Sequence, residues 1–337
     1  MPYTRSILEF ALLVYGTLAS HAALEVVWPT EHLPVDMQES FIALLQPTES
    51  KEIQSGNFGC VRSDGRQFHE GIDLKSFSRD RKGEARDVVR SVLPGKVVYT
   101  NANPGRSSYG RYVLLEHFDG QLVFMTLYAH LSSIETRIIA GSRVRRGETI
   151  GIMGRSASYT IPKDRAHLHF EVCLRWTDFF QNWYDWKDFE EKNDHGLFNG
   201  MNLVGLDPVS FFEQTQWNLE DRVANVFQSE KTAFSILVST KRIPNFVQRY
   251  PGLVKGEIPQ IGLAGWRIDF TWYGAPKQWT PLVSRSGRVK EGALSLKQFD
   301  KEMISSGACR NLIRFRSGKA VPGPGLQTIL QLLFGYR

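Results

Sequence analysis

Hydrophobic positions along this chain fall into short runs, and from Gly56 to about Glu148 those runs read as strands. Val97-Val-Tyr, Tyr112-Val-Leu-Leu and Leu122-Val-Phe-Met are separated by turn signals at Pro94-Gly95, Asn103-Pro-Gly105 and Asp119-Gly120. Many short strands at this spacing predict an antiparallel β-domain. Asp119-Gly120 between alternating runs predicts a hairpin, because that pair tolerates the positive φ angles such turns require. Helical patterns are fewer: Val35 to Leu45 before the break at Pro47-Thr-Glu-Ser, Leu296 to Ile304, and Leu326 to Phe334 after Pro322-Gly-Pro-Gly. Trp266 to Tyr273 alternates like a strand, and Gly274-Ala-Pro-Lys turns it toward a second. The pattern therefore predicts a mainly β domain followed by a C-terminal α+β accessory domain, with no internal repeat and no low-complexity tract.

Composition changes this picture in two places. At 337 residues the chain suits two domains, and 42% hydrophobic with 23% charged residues is ordinary for a soluble globular protein. Charge, however, is divided unevenly. Residues 221–337 carry 18 Lys+Arg against 7 Asp+Glu, a net +11, whereas residues 1–220 carry 23 against 28, a net −5. Such asymmetry predicts a second module with its own partner. The other change is at the N-terminus. Residues 1–23 read as a secretory signal peptide: Arg5 gives a basic start, Phe10 to Ala19 is apolar, and Ser20-His21-Ala22 offers small residues for cleavage. Glu9 beside the apolar run argues the other way, toward an amphipathic helix docked on the domain. No other stretch approaches the roughly 20 apolar residues of a spanning helix. The mature chain is thus expected to lack a transmembrane anchor, and no cysteine precedes Cys60 to carry a lipid.

The three cysteines, Cys60, Cys173 and Cys309, are far apart and show no C-x-x-C spacing, so a thiolate zinc site is not expected. One pair bridges in an oxidising compartment, or all three are buried small apolar residues.

The chemistry lies in the histidines. His69-Glu-Gly-Ile-Asp73, Tyr128-Ala-His130-Leu131 and His167-Leu-His169-Phe-Glu171 supply four imidazoles and a carboxylate. Zinc in a hydrolase typically takes three such ligands and keeps one position for water, whose pKa it lowers toward neutrality. His69 and Asp73 are an even number of residues apart and so share a face of an extended segment, with Gly71 allowing the backbone to bend between them. Glu70 faces the other way and is read as a non-ligand. The helical H-E-x-x-H signature is absent, since position 73 is Asp. His167 and His169 share a strand face. Either both ligate, or one ligates while its neighbour contacts water or substrate. His130 projects from the end of a strand. His117 pairs with nothing in the pattern and is given a packing or hydrogen-bonding role, while His21, His32 and His195 lie in leader or loop segments.

In this order, the motifs H-x-G-x-D, Y-x-H-L and H-L-H-F-E resemble the lysostaphin/LytM-type zinc metallopeptidases, which cleave peptide cross-links in bacterial peptidoglycan. Phe68-His69-Glu-Gly-Ile-Asp-Leu, Pro94-Gly-Lys-Val-Val, Gly110-Arg-Tyr-Val-Leu-Leu-Glu-His117, Val144-Arg-Arg-Gly-Glu-Thr-Ile-Gly-Ile-Met-Gly154 and Asp207-Pro208 follow that family's strand order. The similarity runs from about Gly56 to Phe212.

The resemblance implies that His69, Asp73 and His169 hold zinc, and that His130 and His167 flank the reacting carbonyl, one as general base and one stabilising the oxyanion. It implies an exported zinc endopeptidase, periplasmic or secreted. The alternative is a non-catalytic wall-binding scaffold or a regulator of another wall hydrolase. Two departures concern substrate preference. Ser156 to Ala166 is longer than the family's Ser-Thr-Gly-Pro turn, and the insert 176–200 carries Trp176, Phe179, Phe180, Trp183, Tyr184, Trp186 and Phe189. The insert is either a groove wall or an aromatic mini-core. The expected division is 1–23 signal peptide, 24–55 extension, 56–215 metallopeptidase domain and 221–337 basic accessory domain. For that last module the charge fits anionic envelope polymers, or a solvated basic surface on a domain that packs on the catalytic unit or shields its groove, and given export a nucleic-acid partner is not expected.

Overall fold

The β-rich reading holds across the computed structural model, which describes residues 25–216, 222–284 and 289–335. The leader read at residues 1–23 lies outside them. The alternating runs form the centre of a seven-stranded antiparallel sheet. In spatial order it runs Leu203–Leu206, His167–Arg175, Val123–Leu131, Arg111–Phe118, Gly95–Asn101 and Arg143–Val144, with Ile72–Lys75 added beside the first half of His167–Arg175. Asp119-Gly120 makes the expected hairpin, with Gly120 at φ 92° and the Asp119 carboxylate accepting from the Gln121 and Leu122 amides.

Strand His167–Arg175 organises the site because it changes partners along its length. His169 lies opposite Asp73 on one side and Ala129 on the other, whereas Val172–Arg175 pair with Leu206–Leu203. Its first eight residues are buried. A strand covered on both faces reads as near-continuous apolar sequence, so the buried polar exceptions here, His167, His169 and Glu171, each need a partner.

The C-terminal part carries a four-stranded antiparallel sheet in the order Pro276–Val283, Leu263–Phe270, Phe234–Ser239, Leu294–Phe299. Helices Val223–Ser229, Asn245–Arg249, Lys301–Ser306 and Pro324–Phe334 accompany it. This is the expected α+β character. Two helical expectations need correction. Leu296 to Ile304 divides into the end of strand Leu294–Phe299 and the start of helix Lys301–Ser306; the Asp300 side chain caps that helix by accepting from the Glu302 and Met303 amides. Of Val35 to Leu45, only Glu39–Ile42 is helical. Its continuation is required elsewhere: the Gln46 amide donates to the Asp73 carbonyl and the Lys75 amide to the Leu44 carbonyl, so this stretch runs as an edge beside the strand bearing Asp73.

Both sheets share one continuous apolar core. Cys60 and Cys309 form a disulfide across 249 residues, and Cys173 is a buried free thiol. Around the bridge, Phe58 packs edge-on against Trp272 and Tyr273. Elsewhere Asp178 pairs with both Arg175 and Arg249, and the Arg175 amide donates to the Tyr250 hydroxyl.

His117 has the hydrogen-bonding role expected of it. Its Nδ1 donates to the Pro94 carbonyl and its Nε2 meets the Thr126 hydroxyl, each at 2.8 Å. Burial depresses its pKa to about 4. Between pH 6.5 and about 4 the unfolded chain therefore binds a proton that the folded chain does not, so this contribution is fully present above pH 6.5 and lost as pH falls. Over that window it amounts to about 3 kcal/mol. Urea unfolding of His117→Gln at pH 7 and pH 4.5 is expected to narrow the wild-type stability difference by about 2–3 kcal/mol. An unchanged difference would remove His117 from the acid response.

Candidate metal centre

Three elements deliver the site. His69 closes the strand Gln67–His69 of a hairpin with Gly59–Arg62, Asp73 sits in Ile72–Lys75, and His169 lies opposite Asp73. Gly71 between them is required by close approach: a Cβ there would stand 2.2 Å from the Phe170 carbonyl oxygen. The chain does bend at Glu70 and Gly71, as expected, and close packing is a second reason for glycine at this position.

Side chains of His69, Asp73 and His169 place one ligand atom each within 4.8 Å of one another, all buried. His69 Nε2 is 3.0 Å from His169 Nδ1 and 3.2 Å from Asp73 Oδ1, and His169 Nδ1 is 2.9 Å from Asp73 Oδ1. The outer nitrogens are committed. A carbonyl only accepts, so His69 Nδ1–H donates to Asn57 O at 2.7 Å; His169 Nε2–H donates to the Glu171 carboxylate at 2.8 Å, which also accepts from the Tyr109 hydroxyl at 2.6 Å. Such carbonyl– and carboxylate–histidine pairs fix the tautomer that turns the other nitrogen toward a metal. Two imidazoles and a carboxylate, oriented this way and buried, fit a zinc ion.

The electrostatics agree with that assignment. Burial pushes Asp73 upward, but His69, His167 and Arg62 outweigh it and hold the carboxyl well below its usual range. Burial lowers His69 to about 4 despite Asp73. For His169 burial also opposes charge, yet the carboxylates of Asp73 and Glu171 raise it to about 9, so a metal taking Nδ1 displaces a proton there.

His130 and His167 stand beside the cluster with their rings 4.6 Å apart. His130 takes φ 60° at the strand end and donates Nδ1–H to the Ser156 carbonyl; His167 donates Nδ1–H to the Arg165 carbonyl. Both Nε2 atoms are therefore lone-pair acceptors, that of His167 being 3.6 Å from Asp73 Oδ2. Burial depresses both pKa values, that of His130 strongly with His167 adding to it. The longer loop Ser156 to Ala166 thus supplies carbonyls at both its ends to orient these two rings.

All five histidine and aspartate candidates come together. Glu70 is not part of the candidate ligand cluster; its carboxyl is raised by burial and by Glu171 and countered by Arg310 and His169. Sequence reasoning missed Tyr109, Asn57 and Arg62, and left Glu171 without a role. Period two from His167 through His169 to Glu171 placed that carboxylate on the same face. His195, read as carrying no signal, ties the insert to the sheet through the Tyr99 hydroxyl and to the turn Pro104–Arg106 through the Arg106 carbonyl.

The aromatic insert is mostly a packing unit. Trp176, Phe180, Trp183 and Tyr184 are buried, with Trp176 against Phe246 and Trp183 Nε1 donating to Gln331 of the C-terminal helix. A cavity of about 340 Å³ between the insert and that helix includes none of the metal-site residues.

Residues 67–179 match the model of peptidase family M23. The matched segment contains His69, Asp73, His130, His167 and His169, and the resemblance to lysostaphin/LytM-type peptidases is borne out. No curated protein matches the chain. Among solved structures, a zinc-containing peptidase from Vibrio cholerae is 28% identical over 43% of this chain and 36% of that one, with a TM-score of 0.27. The chain therefore spans about a third of that peptidase's length. The catalytic domain of lysostaphin from Staphylococcus simulans is 21% identical, covering 47% of this chain and 87% of that one at a TM-score of 0.30. A prophage-encoded M23 catalytic domain from Enterococcus faecalis is 21% identical, covering 39% and 86% at 0.27. The matched segment holds the candidate ligand cluster of His69, Asp73 and His169, and the C-terminal sheet falls outside it.

Proposed function

We propose that this protein is an exported zinc metalloendopeptidase that hydrolyses peptide cross-links of bacterial peptidoglycan. The observation that carries the reading is the buried convergence of His69, Asp73 and His169, with two further imidazoles presenting bare Nε2 atoms beside them. Zinc held by these three residues supplies Lewis acidity toward the scissile carbonyl and the attacking water.

The remaining work falls to His130 and His167. Held neutral by burial, either accepts a proton from water at Nε2 without first losing one. Neither can donate to an oxyanion as it stands, because each ring's one hydrogen points at a backbone carbonyl. Donation begins only once Nε2 has gained a proton. The imidazole that accepts the water's proton thereby becomes the donor for the oxyanion or the leaving amine. The pair titrates as a unit, so a pH–rate profile reports apparent values belonging to both.

Export is supported by the leader pattern of residues 1–23 and by the Cys60–Cys309 disulfide, since such bonds persist in oxidising compartments. No described helix is long and apolar enough to cross a membrane. We assign residues 56–215 as the peptidase domain, 24–55 as its extension and 221–337 as the accessory domain. The exposed hairpin bearing Arg314, Arg316 and Lys319 is a surface suited to anionic envelope polymers.

The test is digestion of purified peptidoglycan of several chemotypes by zinc-loaded protein, with mass analysis of the fragments. New amino termini at cross-link peptide bonds are expected, with glycan strands intact. Wall that is bound but left uncut points to the scaffold reading.

A further inference from the structure

The hairpin that carries His69 also brings a cation to it. Arg62 ends the strand Gly59–Arg62, and its Nη2 lies 2.7 Å from His69 Nε2 and in ion-pair contact with Asp73 Oδ2. Its Nε reaches the Ser55 carbonyl at 3.4 Å. Since His69 Nδ1–H is committed to Asn57, Nε2 holds the ring's one lone pair. Arginine has only donors and stays charged. The guanidinium therefore takes the lone pair a metal ion would need, and the two cannot share it.

We propose that Arg62 is a built-in counter-ion that competes with the divalent metal for the cradle of His69, Asp73 and His169, so that metal enters as Arg62 withdraws. This rests on the zinc reading of the site. The Arg62 side chain is 24% exposed and that of Asp73 3%, so the guanidinium reaches inward from the surface and has solvent to retreat into. In the metal-free chain it neutralises a buried carboxylate and keeps the ligands facing one another. The hairpin itself is clamped: Cys60 is bonded to Cys309, Arg310 lies over the Phe68 ring at 4.6 Å, and Phe68 packs on Trp272. Withdrawal is therefore a rotation of the Arg62 side chain, with the backbone and His69 staying in place.

A resident competitor lowers apparent metal affinity by the fraction of time the cradle is free. Zinc titration of the metal-depleted full chain against a chromophoric chelator is expected to show Arg62→Ala binding about 10-fold or more tightly than wild type. Arg62→Gln carries the same expectation and guards against misfolding of the alanine variant, whereas Arg62→Lys, which keeps the charge, is expected closer to wild type. The metal-free form of Arg62→Ala is expected to unfold at lower temperature than metal-free wild type, with the two zinc-loaded forms alike. Equal zinc affinity in wild type, Arg62→Ala and Arg62→Gln overturns the competition and leaves the zinc site standing. Zinc binding no stronger in any of them than in Asp73→Ala overturns the zinc reading and the competition with it.

Discussion

Replacing His130 by asparagine is expected to slow peptide cross-link cleavage by about 10²–10⁴-fold while zinc content stays at the wild-type level. His130 is outside the ligand cluster, yet its ring lies 4.6 Å from His167 and its Nε2 is free to accept a proton. Asparagine is the informative substitute because position 130 has φ 60°, a conformation it tolerates better than alanine. The loss should therefore report chemistry with little backbone cost. Fragment release and bound zinc are measured on the same preparation. Zinc lost together with activity would make His130 a ligand, and activity retained would remove it from the reaction.

The second large effect concerns the covalent clamp. Replacing Cys60 and Cys309 together by serine is expected to lower stability by about 2–5 kcal/mol, since a cross-link spanning a long loop restricts the unfolded chain strongly. The bridge closes 249 residues and joins the hairpin of His69 to the turn Ala308–Arg310 of the C-terminal part. Denaturant unfolding of the double variant beside the oxidised wild type gives the difference. A change below about 1 kcal/mol would show that the aromatic contacts of Phe58 and Phe68 hold the two parts together without the disulfide.

Strand periodicity made the β-fold and the pairing of His167 with His169 on one face legible, while the family resemblance, not the spacing, singled out His69, Asp73 and His169 as the candidate ligand set. His167 and His169 share a face of one strand, and Asp119-Gly120 marks its own hairpin, whereas His69 and Asp73 fall in two separate strands with a bend at Glu70 and Gly71 between them. Glu171 was equally within reach, one more step of two along the same strand. What stayed hidden depends on contacts distant in sequence. Tyr109 reaches Glu171 across the sheet, and Arg62 reaches His69 across a hairpin whose register shifts between Gly59 and Arg62, so spacing alone gave neither away. The pairing of Cys60 with Cys309 required the second sheet to be in place. Leu296 to Ile304 misled because its apolar positions suit a helix until Asp300 is recognised as a cap, after which the preceding residues are free to pair as a strand.

His69, Asp73 and His169 are expected to hold a zinc ion together, and X-ray absorption spectroscopy of the zinc-loaded full chain reads that ligand set. The expected spectrum shows two imidazole nitrogens and carboxylate or water oxygen at about 2.0–2.2 Å, with no sulfur, and loses one imidazole in His169→Ala. A shell of oxygen alone, a sulfur ligand, or an unchanged spectrum in His169→Ala would contradict it.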